Sequence, residues 1–115
     1  MYVAKNERCK RGGGYRIMNY LEEYGVSREQ IEQLRGTLNE EIVKFITLNE
    51  TFVRKKLDYL KDGGFIIYPI IEFNIRIILE TPDALKKKIK KMETLKYSKK
   101  QIQIILMDEK LYSKI

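Results

Sequence analysis

The stretch Val26-Ser27-Arg28-Glu29-Gln30-Ile31 occurs a second time, in the same pattern, as Tyr97-Ser98-Lys99-Lys100-Gln101-Ile102. Each copy reads apolar-Ser-x-x-Gln-Ile. In a Ser-x-x-Gln capping box, the serine hydroxyl accepts a hydrogen bond from the third helical N–H, and the glutamine side chain accepts one from the serine N–H. Each copy is therefore predicted to mark the turn where one helix ends and the next begins.

A degenerate third copy lies between these two. It runs from Tyr59 to Phe65 and continues to Pro69-Ile70, where the other copies carry Gln-Ile. The hinge residues Val26, Phe65 and Tyr97 are 39 and 32 positions apart. A unit of about 30 to 40 residues built from two helices is typical of helical repeat proteins. We therefore predict an all-α fold, a short right-stacked array of about 2.5 to 3 two-helix units.

Turn and capping residues divide the chain further. Gly12-Gly13-Gly14 separates a flexible basic arm, residues 1–14, from a single helical-repeat domain, residues 15–115. A first helix is predicted from Arg16 to Tyr24, closed by Gly25, and a second from Ser27, ending at Gly36. A break is predicted near Asp108 in the last helix. Further helix starts are predicted at four capping residues: Asn39, Asn49, Thr81 and Ser98.

The segment from residue 65 to residue 79 fits two structures. Glu72, Asn74 and Arg76 alternate with apolar residues, many of them β-branched, which favours a strand. Alignment with the two capping boxes instead favours a buried helix, with Pro69 in its first turn. A helix agrees with the repeat array, whereas a hairpin in residues 65–79 would make the fold α+β.

Composition narrows the functional classes. The chain of 115 residues has 43% hydrophobic residues, one cysteine and no histidine. We therefore expect one folded domain in a reducing compartment, the cytoplasm or alternatively an organellar matrix. The missing histidine removes the commonest general base and metal ligand. No apolar stretch is long enough for a membrane span. We accordingly expect no enzyme activity, no catalytic residues, no cofactor, no metal site and no membrane association.

Charge is unevenly distributed along the chain. The net charge of +7 divides into +4 for residues 1–16, −4 for residues 17–52 and +7 for residues 53–115. A basic arm and a basic C-terminal half predict a polyanionic partner, nucleic acid before a membrane surface. Lysines spread along a helix can neutralise successive phosphates and release counterions. The predicted nucleic-acid-binding residues are Arg8, Arg11, Arg16, Arg54, Lys55, Lys56, Lys86, Lys87, Lys90, Lys91, Lys99 and Lys100.

A second function remains open. The acidic first part and the apolar segment 65–79 would then form a surface for a protein partner or a homodimer, and the basic charge would be incidental. The tyrosines at the recurring positions, Tyr20, Tyr59 and Tyr97, are predicted to pack in the core rather than stack on bases.

The pattern Pro-x-x-Leu-x-x-x-Ile-x-x-Leu/Met, followed by a turn and Ser-x-x-Gln-Ile, resembles the mitochondrial transcription termination factor (mTERF) repeat. The residues that carry the resemblance are Pro82, Leu85, Ile89, Met92, Leu95, Tyr97, Ser98 and the run from Ile102 to Leu106. It extends over residues 51–115, although proline opens only one unit. The resemblance implies stacked helical repeats with a basic concave groove that binds double-stranded DNA or, in some cases, RNA, in a protein related to transcription regulation.

Overall fold

The computed structural model describes residues 18–115, and these residues form helices and turns without a strand. A 3₁₀ helix comprises Asn19–Tyr24. Eight α-helices follow: α1 Arg28–Thr37, α2 Glu40–Leu48, α3 Glu50–Asp62, α4 Ile67–Phe73, α5 Arg76–Leu79, α6 Pro82–Thr94, α7 Lys99–Leu106 and α8 Glu109–Ser113. The all-α prediction is confirmed for this part of the chain. The predicted basic arm, residues 1–14, and the predicted helix start at Arg16 lie outside the described residues.

Both capping boxes form as predicted. The Ser27 and Ser98 hydroxyls each accept a hydrogen bond from the third helical N–H, at 3.1 Å. The side chains of Gln30 and Gln101 accept from the serine N–H at 2.9 and 2.8 Å. These reciprocal bonds satisfy N–H groups that a helix start leaves unpaired, and so they fix where α1 and α7 begin.

The other predicted helix starts are confirmed, although one of them lacks a side-chain cap. Asn39 and Thr81 accept from the third helical N–H of α2 and α6, and Asp108 caps α8. Asn49 precedes α3 but makes no side-chain bond to it. Its side-chain amide instead donates to the Phe45 carbonyl at 2.9 Å, which closes the end of α2.

Residues 65–79 fold as the helices α4 and α5, so the β-hairpin alternative is wrong. The segment is apolar on several sides because α4 and α5 both pack against α3 and against each other. The helix breaks at Asn74, whose side-chain amide donates to the Leu106 carbonyl at the end of α7, at 3.0 Å. Five isoleucines of the segment are buried: Ile67, Ile70, Ile71, Ile77 and Ile78.

The degenerate copy receives its cap from a neighbouring helix. Ile66 stands where the other copies have serine, and Pro69 stands where they have glutamine. The Ile66 N–H donates to the Gln103 side-chain carbonyl at 2.9 Å, and the Gln103 amide donates to the Ile66 carbonyl at 3.1 Å. Gln103 of α7 therefore replaces the missing glutamine and joins α4 to α7.

Three turns share one left-handed conformation. Gly25, Gly64 and Lys96 have φ angles of 84°, 81° and 65°. In each turn this residue donates its N–H to the carbonyl three residues earlier, and the next residue donates to the carbonyl five residues earlier. This pair of bonds is the Schellman motif, which ends helices. The three residues are 39 and 32 positions apart, which is also the spacing of the hinge residues.

The helices recur in a three-part order. We name residues 19–48 the first group, residues 50–79 the second group and residues 82–113 the third group. The second and third groups each begin with a helix of 13 residues, α3 and α6. A helix of seven or eight residues and a short helix of four or five follow. The short third helix was not expected from the two-helix pattern.

Corresponding helices of successive groups pack side by side. The helix α3 contacts both the 3₁₀ helix and α6. The Tyr68 hydroxyl of α4 donates to the Gln33 side chain of α1 at 2.9 Å, and Gln103 joins α7 to α4. The resulting body is elongated, with dimensions of 55 × 22 × 20 Å.

Loss of either capping serine should lower stability. We expect Ser27→Ala and Ser98→Ala each to reduce the free energy of unfolding by about 1 kcal/mol, because an N-cap hydrogen bond is removed. Ser113→Ala is the matched control, since its hydroxyl donates to the Lys110 carbonyl within the same turn. Urea unfolding followed by circular dichroism measures the effect. Equal stabilities of all three variants would contradict the capping role.

The protein should be more stable with glycine in place of Lys96. An L-residue in the left-handed region costs about 1 to 2 kcal/mol, part of which glycine returns through its greater freedom in the unfolded chain. We therefore expect Lys96→Gly to raise the free energy of unfolding by about 0.5 to 1 kcal/mol. Lys90→Gly, the same exchange inside α6, should lower it by about 1 kcal/mol. The same sign of change in both variants would refute this assignment.

Candidate nucleic-acid interface

Two basic triplets occupy equivalent positions in two helices. Arg54-Lys55-Lys56 begins at the fifth residue of α3, and Lys86-Lys87-Lys88 begins at the fifth residue of α6. The sequence predicts that this repetition serves nucleic-acid binding. The structure assigns a different environment to each of the three positions.

The first position of each triplet turns toward the preceding group. The Arg54 guanidinium donates to both oxygens of Glu23, at 2.9 and 2.8 Å, and to Glu50 at 2.7 Å. It also lies 5.1 Å from the centre of the Tyr20 ring. Lys86 lies 5.4 Å from the centre of the Tyr59 ring of α3. Both cations therefore join successive groups, and the charge of Arg54 is compensated by two carboxylates.

The Arg54 contacts change the ionisation of their partners. The hydrogen bond from Arg54 lowers the pKa of Glu23 below its ordinary value. The hydrogen bonds that Arg54 donates to Glu23 and Glu50 raise the pKa of Arg54. Because these pairs are solvent-exposed, their contribution to stability is small, and their main effect is to orient Arg54 away from an external ligand.

The lysine at the third position of each triplet contacts the C-terminal end of a short helix. Lys56 is fully buried, and its ammonium donates to the Ile78 carbonyl and, at 2.6 Å, to the Glu80 carbonyl at the end of α5. Lys88 donates to the Tyr112 carbonyl of α8 at 3.4 Å and to the Glu80 carboxylate at 3.5 Å. The carbonyls of Glu80 and Tyr112 are 32 positions apart, as are the two lysines.

Lys56 therefore does not fit its predicted role as a phosphate contact. Its ammonium lies inside the protein, 4.1 Å from the centre of the Phe52 ring. Burial lowers the pKa of Lys56 to about 8, against a smaller opposing effect of the nearby Glu80 carboxylate. The unpaired carbonyls at a helix C-terminus attract a cation, and this contact explains why a lysine is placed here.

The middle position of each triplet is exposed to solvent. Lys55 and Lys87 are both exposed, at equivalent places on the neighbouring helices α3 and α6. Lys90 and Lys91 are exposed on the same helix as Lys87, and the Lys91 ammonium donates to the Ile115 carbonyl at 2.9 Å. The outward side of α6 thus retains the predicted lysines.

The predicted lysines of α7 extend this basic surface. Lys99 and Lys100 are exposed in the first turn of α7, and the end of the Lys99 side chain lies against Gly64. Between residues 85 and 100 the chain carries eight lysines and one acidic residue, Glu93. Among these lysines only Lys88 is partly buried. The helix α6 and the start of α7 therefore form a surface of uncompensated positive charge.

The arm arginines and the tyrosines complete the predicted set. Arg8, Arg11 and Arg16 lie outside the described residues. Tyr20 is buried and Tyr59 half-buried, as expected for packed positions, whereas 37% of Tyr97 is exposed. Four tyrosine hydroxyls donate hydrogen bonds within the protein: Tyr20 to Ile46, Tyr24 to Asp58, Tyr68 to Gln33 and Tyr112 to Glu80.

The apolar segment 65–79 contributes little to the surface. Five of its isoleucines lie in the core. Only three of its large apolar residues are exposed, Ile66, Phe73 and Leu79.

Residues 18–115 contain no cluster of three acidic or cysteine side chains that could hold a metal ion. In the same range, every helix is too short or too polar to cross a bilayer. Comparison with known proteins finds no matching family model, no significantly similar curated protein and no significantly similar solved structure.

Sequence reasoning missed the part played by Glu80. Its carbonyl accepts from Lys56, and its carboxylate accepts from Lys88 and from the Tyr112 hydroxyl. Glu80 thus connects α3, α6 and α8. One sequence signal was available: Lys56 and Lys88 are 32 positions apart. The two triplets that contain them otherwise look like one repeated charge cluster.

The buried lysine predicts a pH dependence of stability. The pKa of Lys56 is about 8 in the folded protein and 10.5 ordinarily, so between these values the unfolded chain binds more protons. The free energy of unfolding should therefore rise with pH over this window. Burial raises the pKa of Tyr20 and Tyr112, so stability should fall again above their ordinary value of 10.

This rise should disappear in Lys56→Met and persist in Lys87→Met, which removes an exposed lysine. The measurement is urea unfolding at several values between about pH 7.5 and 9.5, with the slope of stability against pH compared among the three proteins. A rise of equal slope in Lys56→Met would show that another group causes it.

Proposed function

We propose that this protein binds nucleic acid, duplex DNA in preference to RNA, through the lysines of α6 and the start of α7. The observation that carries the proposal is the concentration of exposed, uncompensated lysines between residues 85 and 100. Such lysines can follow a phosphate backbone, and each neutralised phosphate releases counterions. A role related to transcription follows from the mTERF resemblance.

We further propose that the three groups are repeats of the mTERF kind. Three features support this interpretation: the common left-handed turn, the equal lengths of α3 and α6, and the lysine–carbonyl contacts that recur after 32 positions. Stacking of repeats places corresponding side chains along one direction. Lys55 and Lys87 would then form adjacent steps of one basic row.

Recognition in this proposal depends weakly on base sequence. Lysines act as point charges that position a duplex, whereas arginine forks read guanine edges. Arg54 is held by Glu23 and Glu50, so it does not offer a free fork. The binding surface would therefore recognise the phosphate backbone rather than the bases.

Charge reversal on the outward lysines tests the proposal. We expect Lys55→Glu, Lys87→Glu and Lys90→Glu together to weaken binding to unrelated duplexes alike and to reduce the slope of log affinity against log salt by about 2 to 3. The matched control reverses three exposed lysines elsewhere, Lys44, Lys110 and Lys114. It changes the net charge equally and should leave most of the slope.

The titration uses labelled duplex DNA, single-stranded DNA and RNA at two salt concentrations, about 50 and 200 mM. Tightest binding to the duplex supports the proposal. Absence of binding by the wild type to all three at the lower salt concentration refutes it. Equal loss in the two triple variants would show that net charge, and not this surface, determines affinity.

A further inference from the structure

The outer face of α7 carries an exposed apolar groove. Tyr97, Gln101, Ile104 and Ile105 line this groove. In contrast to the buried residues of α7, 55% of Ile104 and 37% of Tyr97 are exposed. We name these four residues the α7 groove.

The capping boxes show which positions of α1 correspond to the α7 groove. With Ser27 aligned on Ser98, the four groove residues correspond to Val26, Gln30, Gln33 and Leu34. Val26 and Leu34 are 1% exposed, and Gln33 accepts the hydroxyl of Tyr68 from α4. Two of these first-group positions are thus buried and a third bonds to the next group, whereas Tyr97 and Ile104 are open to solvent.

The surroundings of the α7 groove are basic. Lys100 neighbours Ile104 on the outward side of α7, and Lys96 lies in the turn beside Tyr97. Lys91 stands at the position of Tyr59, which in the second group meets the following helix. Two acidic residues of this group lie toward the second group: Glu93 acts on Tyr59 of α3, and Glu109 lies 4.0 Å from Arg76 of α5.

Two arrangements of a second copy on the α7 groove would bring like charges together. The position of α1 that corresponds to Lys99, which lies against Gly64, is Arg28. If the first group of a second copy stacked on the third group as the third group stacks on the second, Arg28 of that copy would meet Lys96, because Lys96 corresponds to Gly64. A symmetric pair of α7 grooves would bring Lys96 and Lys100 of both copies together. Like charges in such contacts oppose association.

We propose that the α7 groove binds an acidic amphipathic helix of a partner protein, which lies on α7 as α4 lies beside α1. The apolar stripe of this helix covers Tyr97 and Ile104, and its carboxylates face Lys91, Lys96 and Lys100. The mode is helix-in-groove recognition, read through side chains at i, i+3 and i+4 spacing. Lys91, Lys96 and Lys100 also belong to the lysines proposed above to bind nucleic acid, whereas Lys55, Lys87 and Lys90 are not part of this contact.

The probe is a designed helical peptide of about 15 residues with leucines at i, i+3 and i+4 spacing and glutamates on its flanks. The control peptide carries lysines in place of the glutamates. We expect the glutamate peptide to bind saturably in a fluorescence anisotropy titration, and the lysine peptide to bind at least about tenfold more weakly. Salt should weaken the first interaction.

Two variants locate the site. Ile104→Lys and, separately, Lys100→Glu should each weaken binding of the glutamate peptide, the first by at least about tenfold. Leu79→Lys changes a leucine of the second group that is 45% exposed and should bind as the wild type does. Circular dichroism verifies that each variant keeps its helices.

Three outcomes would overturn the proposal. The first is failure of the glutamate peptide to bind the wild type, or equal binding by Ile104→Lys and Leu79→Lys. The second is a wild-type dimer in sedimentation that Ile104→Lys abolishes, which would assign the α7 groove to a second copy. The third is an effect of Ile104→Lys on duplex DNA binding without one on peptide binding, which would assign the groove to nucleic acid.

Discussion

The contact between a lysine and the carbonyls at the end of a short helix is the constraint on which the rest of this structure depends. Helices of four and five residues cannot persist alone, because helix nucleation is costly and their last carbonyls lack partners. Lys56 and Lys88 supply a cation to these carbonyls, and the body of each side chain packs in the interior. Glu80 then joins one group to the next.

This contact also changes how the basic residues of the two triplets are interpreted. Along the sequence, Arg54-Lys55-Lys56 and Lys86-Lys87-Lys88 look like one binding feature repeated in register. In the folded chain, Arg54, Lys56 and Lys88 bond within the protein and Lys86 lies against the Tyr59 ring, whereas Lys55 and Lys87 are exposed without such a contact. Repetition of this kind can arise from packing alone, because Lys56 and Lys88 make similar contacts inside the protein. A repeated cation is therefore informative about binding only after its internal partners are known.

The sequence specified the helix starts well because capping is local: Ser27, Asn39, Thr81 and Ser98 each act within one turn. Asn49 was misassigned because its amide had a competing carbonyl in the preceding helix. The segment 65–79 was ambiguous because burial on several sides removes the helical period from its apolar pattern. The burial of Lys56 and the exposure of Tyr97 depend on residues far along the chain, which no local pattern contains. The arrangement of α6 lysines was predictable, since Leu85, Ile89 and Met92 define the opposite, buried side of one regular helix.

The elongated body, 55 Å by about 20 Å, has a consequence for how the chain acquires its structure. Each group packs mainly against the groups next to it, so few contacts must wait for distant parts of the chain to meet. During synthesis, the second group can dock on the first as soon as it leaves the ribosome, and the third can then dock on the second. The cap that Gln103 supplies to Ile66 illustrates a drawback of this order. The helix α4 forms before Gln103 is made, so the Ile66 N–H is capped only after α7 docks. Assembly in sequence thus leaves the second group incompletely capped until the third is made.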